Sequence, residues 1–571
     1  MARSYVKQET GGQGRVPLEH FGLQINFCRN PACANFGVPP LSAVDLGRAA
    51  KISDGYRRVG SKDSEGVRDN LMSCKLCSQS FVLKSNRAVI EEFERQKQAY
   101  VLPERITCTN QECDHSKLTL LAGTDVSKHY QQFGRTAAGS LRYRCKACKK
   151  TFSVTQSSTI RQRKPEITET LLKLLVNKVP MRRICEIAEV LPAVLYNRIG
   201  FIYKQTQRYA ADQEAPLIKG KHFELLRIAV DRQDHVFNWA SSADRRNTKL
   251  SAVASADCES GYVFGMELDF DPRFSPYEID LEARSNGDYK LAPPYRQFAR
   301  FFLPGDYDQG RKPVEPESQL EDGMKLPGLG MRVHAEYMIM GHFQWLRWLL
   351  PNVDSFHLYL DQEPSIRGAC LAAFMDLIAQ RRVEAFFVRI GKNLTIDERK
   401  TEIAKSESYL AKLQVLYPDL TRWKIAKSVM TARYEEARRT HASVTDRWVE
   451  SILPHMGEPK KALCYLTDHG AVDPAMVASA MLKASLHPVD RFFMQLRRRI
   501  SLLERPISTA SSTGRTWHGY NAYNPENAAR VMKIFRVIFN YCLVGKDGKT
   551  PAMRLGLASR PTTYKELIAY I

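Results

Sequence analysis

Eight of the thirteen cysteines fall in the first 150 residues, as two copies of one spacing. Cys28-x4-Cys33 is followed by Cys74-x2-Cys77, and Cys108-x4-Cys113 is followed by Cys145-x2-Cys148. The copies agree in detail: Cys74-Lys-Leu-Cys77-Ser-Gln-Ser-Phe81 parallels Cys145-Lys-Ala-Cys148-Lys-Lys-Thr-Phe152. Two short-loop pairs brought together across a small sheet supply the four thiolates of a tetrahedral structural zinc, which can hold a module too small to own a core. The spacing predicts two zinc ribbons with one ion each. The other five cysteines (Cys185, Cys258, Cys370, Cys464, Cys542) are scattered among apolar neighbours and read as small core residues.

Carboxylates suggest a second chemistry. The apolar run Leu225-Leu-Arg-Ile-Ala-Val230 stops at Asp231, and Ser355-Phe-His-Leu-Tyr-Leu360 stops at Asp361. A strand that delivers Asp at its end is how a mixed α/β sheet offers oxygen ligands to magnesium, and a pair of such ions needs several carboxylates to balance its charge. Either Asp alone is more often a turn residue or a helix cap. The pair gains weight from what stands before it.

Between the second ribbon and these strands the pattern is helical. Ile167, Leu171, Leu172, Leu174 and Leu175 make an apolar stripe that ends at Pro180. A short amphipathic helix over Met181–Val190, a turn at Leu191-Pro192 and a longer helix from Ala193 outline a helix-turn-helix, whose second helix would enter the major groove. Arg182, Arg183, Tyr196, Asn197 and Arg198 are the expected base or phosphate contacts. A plain helical hairpin competes with this reading, because the turn carries no glycine.

Further strands are predicted over Leu250–Ala256, Tyr262–Leu268 and Val383–Ile390, with helices over Val333–Leu350, Pro364–Ala379 and from Pro488 to about Leu503. Residues 271–330 and 392–460 read as insertions. The predicted organisation is a first ribbon over 1–100, a second over 101–158, a helix-turn-helix domain over 159–215, a mixed α/β core over 222–545 and a tail over 546–571.

The charge supports a polyanionic partner. The chain of 571 residues carries a net +22, and residues 1–220 hold 35 Lys/Arg against 20 Asp/Glu. From Arg135 to Arg183 thirteen basic residues face only Glu166 and Glu169. Nucleic acid is the first candidate for such an excess. An apolar fraction of 44% excludes a disordered basic tail protein. With no run of eighteen apolar residues and no hydrophobic segment after Met1, neither membrane insertion nor export is expected.

Four passages together resemble the DDE-type transposases of bacterial insertion elements. They are the ribbon ending Tyr143-Arg-Cys145-Lys-Ala-Cys148-Lys-Lys-Thr-Phe152; the Asp231 strand with the later Asp361 strand–helix–strand unit; Val489-Asp490-Arg491 continuing through Leu496-Arg497-Arg498-Arg499 to Leu503-Glu504-Arg505; and the tail Thr550-Pro551-Ala552 to Gly556-Leu557. The resemblance implies a ribonuclease H-like catalytic core holding two magnesium or manganese ions on Asp231, Asp361 and a third acid at Asp490, with Arg497, Arg498 and Arg499 on the phosphate backbone. It implies double-stranded DNA, both element ends and target, as partner, a homo-oligomeric synaptic complex, and a bacterial cytoplasmic protein associated with the nucleoid. The chain departs from the family in having Asp where Glu is usual, in its wide spacing between acids, and in its second ribbon. A non-catalytic, transposase-derived regulator or targeting protein is the alternative, and a ribbon scaffold for protein partners is a third. Glu504 competes with Asp490 for the third acid.

Overall fold

A computed structural model of the chain describes residues 14–42, 54–59, 70–100, 106–118, 120, 124–137, 140–154, 162–238, 247–308, 329–391, 393–504, 507–508, 516–517, 522 and 524–570. The chain is multidomain and α/β, with helices packed on a mixed sheet. The middle of the 271–330 insertion, residues 309–328, lies outside the described residues.

Each cysteine module is a three-stranded antiparallel sheet: β1 (Tyr56–Val59), β2 (Leu71–Cys74) and β3 (Ser80–Val82) in the first, and β4 (Tyr130–Arg135), β5 (Leu141–Cys145) and β6 (Thr151–Val154) in the second. The sequence repeat is repeated in register, since Tyr56 pairs Cys74 and Tyr130 pairs Cys145. In each, the tyrosine ring meets a phenylalanine edge-on, Phe81 in one and Phe152 in the other.

The modules differ in their setting. The first leads into α1 (Asn86–Lys97), and Ile25, Phe27, Ala88 and Val89 belong to the main core of the molecule. Around its own cysteines each keeps a small separate cluster, Val16, Tyr56, Met72, Phe81 and Leu83 in the first and Leu120, Tyr130, Tyr143, Phe152 and Val154 in the second.

Three helices follow: α2 (Ile167–Leu175), α3 (Met181–Ile187) and α4 (Pro192–Ile218). The turn between α3 and α4 contains Glu189 at φ +50°, the left-handed conformation that glycine usually supplies. The expected boundary near 215 is bridged by α4 itself, whose last turn accommodates Pro216 and runs into the core. Its fully buried Glu214 accepts hydrogen bonds from Tyr100 and Tyr262 and an ion pair from Arg536 at 2.7 Å. Tyr100 follows α1, Tyr262 precedes the strand Val263–Leu268 and Arg536 lies on the helix Pro525–Tyr541, so this cluster fixes α4 to the core. Glu214→Ala should strand a buried guanidinium and cost about 3–5 kcal/mol. A lowered urea midpoint would register that cost; an unchanged midpoint would refute it.

The sheet has seven strands. β7 (Phe223–Asn238), β8 (Asn247–Asp257) and β9 (Val263–Leu268) form an antiparallel meander. A two-residue ribbon, β10 (Phe270–Asp271) with β11 (Met331–Arg332), flanks the insertion. β12 (Val353–Asp361) lies parallel to β7, and β13 (Val383–Ile390) parallel to β12. Two strands absent from the sequence reading, β14 (Trp448–Glu450) and β15 (Lys461–Tyr465), close the other edge antiparallel. The order is β14-β15-β13-β12-β7-β8-β9.

Each face of the sheet is covered by helices. On one, α5 (Ala335–Leu349) places His342 Nε2 3.0 Å from Ser255 Oγ. On the other, α6 (Pro474–Lys483) accepts the Tyr359 hydroxyl through Ala480 O at 2.9 Å. The next helix, α7 (His487–Arg499), packs across β7 and β8.

Candidate metal centres and carboxylate face

The eight cysteines converge as their spacing predicts. Within each quartet the sulfur atoms all lie within 4.8 Å of one another. Cys28 and Cys77 are 3.4 Å apart, Cys33 and Cys74 3.7 Å, Cys108 and Cys148 3.5 Å, and Cys113 and Cys145 3.8 Å. A tetrahedral zinc with bonds of about 2.3 Å sets its sulfurs about 3.8 Å apart, so both quartets fit the ion.

The backbone prepares each site in the same way. Cys74 N–H donates to Gln79 O and Ser78 N–H to Cys74 O; Cys145 N–H donates to Lys150 O and Lys149 N–H to Cys145 O. Ser78 and Lys149 each sit at φ +61°, the left-handed residue that lets the knuckle turn its second thiol inward. The backbone N–H of Lys150 holds the Cys148 thiol down to about 6, while burial pushes Cys108 and Cys113 of the same quartet up. His115 Nδ1, 3.4 Å from Cys145 Sγ, provides a second-sphere contact to the second quartet.

The carboxylates are brought to one face by register. β7 does not stop at Asp231, as the apolar run suggested. It continues to Asn238 because β8 pairs with it throughout, from Ile228↔Asp257 to Asn238↔Asn247. What ends there is the parallel neighbour: β12 pairs Leu360 with Val230 and finishes at Asp361. Asp361 therefore lies level with Asp231 on the adjacent strand.

Both aspartates share the α6–α7 side of the sheet. Val230 pairs with Ser255, whose side chain meets α5, so Asp231 one residue on points the opposite way. Tyr359 reaches α6, and Asp361 two residues on points with it. Asp231 is buried, and Arg232 N–H donates to its Oδ1 at 2.7 Å.

Asp490 stands in the first turn of α7. Arg497, seven residues on, approaches His235: burial first, and then the Arg497 charge, push that imidazole down to about 4. His235 lies four residues beyond Asp231 on the same side of β7. Ser485 O, just before α7, lies 3.7 Å from Cys258 Sγ, and Cys258 N–H donates to Arg227 O, so α7 runs from the Arg227 end of β7 toward His235 and carries Asp490 past the Asp231 stretch. Among the described residues only the cysteine quartets close to within 4.8 Å as groups of three or more; the three aspartates share a face without closing to that distance.

The expected DNA contacts divide. Arg182, Arg183, Tyr196 and Asn197 are exposed around the α3–α4 turn, with Arg183 paired to Glu186 at 2.6 Å. Arg198 turns inward: it is buried, and its Nη2 donates to Arg163 O at 2.6 Å. Arg497, Arg498 and Arg499 do not act as one cluster, because successive helical residues turn by about 100°. Arg497 faces the sheet and Arg498 is exposed. Arg499 reaches Asn177 at the α2–α3 turn, and its carbonyl accepts Lys178 N–H at 2.7 Å.

One residue that positions the third aspartate carries no sequence signal. Glu458 is buried and accepts the N–H groups of Leu486 and His487 at the start of α7, at 2.8 and 3.1 Å. Burial would raise its carboxyl, but hydrogen bonds from His455 and Ser485 and the Lys461 charge hold it well below the usual range. It stands 28–29 residues before the N–H groups it accepts, so only the tertiary fold reveals it.

No protein-family model matches the chain, and no curated protein matches it. No helix among the described residues is long and apolar enough to cross a membrane.

Proposed function

We propose that the protein is a DNA transposase: a zinc-ribbon and helix-turn-helix amino terminus that binds element ends, joined to a ribonuclease H-like core that cuts and joins DNA strands. The observation that carries the reading is the level placement of Asp231 and Asp361 on adjacent parallel strands, under the helix whose first turn carries Asp490. The meander β9-β8-β7 followed by parallel β12 and β13 is the sheet order that a ribonuclease H-like core calls for.

In this reading Asp231 and Asp361 hold magnesium or manganese, and Asp490 completes the set. Bound there, the cations would supply Lewis-acid charge at a phosphodiester. The protein's own part is to orient the strand. Arg182, Arg183, Tyr196 and Asn197 would engage the duplex, and Arg498 offers a further exposed cation. The seam between Arg499 and the α2–α3 turn ties the DNA-binding helices to the helix of the third acid, so a duplex seated on one is held in fixed relation to the other. Elements of this kind act in pairs, so a homo-oligomeric complex on two ends is the corresponding assembly.

The test uses the full chain with a supercoiled plasmid carrying the DNA that flanks its gene. Nicking should require magnesium or manganese. Asp231→Asn or Asp361→Asn should abolish it while duplex affinity stays within about twofold. Duplex binding should weaken steeply with salt, by about 0.9 in logarithmic slope per phosphate contact. Salt-dependent binding without cleavage in either metal would replace this reading with a non-catalytic, transposase-derived regulator.

A further inference from the structure

The duplicated ribbons have diverged in the surface they present. The first is built into the body of the molecule: Arg58 Nη2 donates to Tyr295 at 2.6 Å, and Ser85 N–H donates to Tyr337 at 3.1 Å. Gly341 on α5 marks how closely α1 approaches, since a Cβ there would lie 2.7 Å from Glu92 Cβ. The second ribbon leaves one face of its sheet open, with β4 exposed from Gln131 to Arg135.

That face is aromatic and basic. Phe133 is 45% exposed on β4, with the guanidinium groups of Arg142 and Arg144 on β5 within 5.7 and 6.0 Å of its ring centroid. The pairing of β4 with β5 shifts register between Gln132 and Arg135, and Gly134 at φ +82° takes the left-handed position in that bulge. A bulge re-aims side chains, and here Phe133 lies beside the two arginines. Residues 126–154 contain seven Lys/Arg and no Asp or Glu.

The first ribbon is an internal control. Arg142 and Arg144 stand three and one residues before Cys145; the corresponding residues before Cys74 are Leu71 and Ser73. Counting from the paired tyrosines Tyr56 and Tyr130, Val59 stands where the second ribbon has Phe133. The shared fold and zinc site therefore do not require Phe133, Arg142 or Arg144.

We propose that this face binds single-stranded DNA, with an unpaired base stacked on Phe133 and the flanking phosphates held by Arg142 and Arg144. A duplex hides both faces of each base, so an exposed ring with cationic flanks recognises unpaired strands, and does so with little sequence preference. The proposal rests on the DNA-binding reading above only in taking DNA as the strand. Strand cleavage would supply such unpaired DNA close to the bound duplex.

The experiment measures fluorescence anisotropy of a labelled oligothymidylate and of a labelled duplex with the full-length, zinc-loaded protein. Phe133→Ala should weaken oligothymidylate binding about tenfold, the effect of one lost stacking platform, and change duplex binding by less than about twofold. Arg142→Leu with Arg144→Ser installs the first ribbon's residues and should lower the salt slope on the single strand by about 1.4. Unchanged zinc content in each variant shows that the ribbon still folds. Arg182→Ala should do the reverse, weakening the duplex and sparing the single strand. A wild-type protein that does not bind oligothymidylate, a Phe133→Ala variant that binds it normally, or equal losses on both ligands would overturn the proposal. Phe133-dependent binding by a protein that ignores duplex would sustain it while overturning the helix-turn-helix assignment.

Discussion

Cys145→Ser is expected to leave the full chain with one zinc where the native protein is expected to hold two, and to unfold the second ribbon while the α/β core stays intact. Each ribbon has only a small apolar cluster around its own cysteines, and the asymmetry follows from attachment: Arg58 and Ser85 tie the first to Tyr295 and Tyr337 of the body. Among the described residues, the second ribbon buries only Leu120, Tyr130, Tyr143, Phe152 and Val154 around Cys108, Cys113 and Cys145, too little to stabilise an independent module. A structural zinc contributes about 10–16 kcal/mol to such a module, more than its side chains can replace. Its loss should expose residues 106–154 to limited proteolysis. Cys74→Ser should act differently, because Ile25 and Phe27 near the first quartet belong to the main core. It should also lower the thermal midpoint of the whole chain. Metal analysis giving one zinc or none in the native protein would sink the paired-ribbon assignment, and equal effects of the two substitutions would contradict the docked and free arrangement.

The quartets were legible because their chemistry is local: each knuckle is set by a four- or two-residue spacing, and the two halves need only meet. The carboxylates were legible as strand ends but not as a face. Which way Asp231 points depends on the register of β7 against β8 and β12, and register is a property of pairs of strands. The same cause hid the length of β7, since residues past Asp231 are held by β8 and not by their own apolarity. β15 was missed because five buried residues follow a long helical insertion, without the alternation that marks a half-buried strand. The helix-turn-helix outline offers Arg198 as a DNA contact, and the family resemblance offers Arg499. Their partners, Arg163 O and Asn177, are distant enough in sequence that only the folded chain brings them together.

Asp490→Asn should lower metal-dependent strand cleavage about a thousandfold or more while leaving duplex affinity within about twofold, whereas Glu504→Gln should leave cleavage within a fewfold of native. The helix expected from Pro488 to about Leu503 ends at Arg499, and Glu504 follows a separate turn over Ser501–Leu503. Fourteen residues apart, the two acids would in any case be separated by about 21 Å of continuous helix, so only one can serve the Asp231–Asp361 edge. Asp490 lies at the end of α7 that Glu458 anchors, on the helix that crosses the Asp231 face. Glu504 is occupied elsewhere: its Oε1 pairs with Lys178 at 2.8 Å, joining the segment after α7 to the turn between α2 and α3. That pair is partly exposed and is worth under about 1 kcal/mol, so its loss should hardly move the thermal midpoint. Cleavage abolished by Glu504→Gln and spared by Asp490→Asn would transfer the third carboxylate to Glu504, and would require α7 to be rebuilt so that its far end meets the metals.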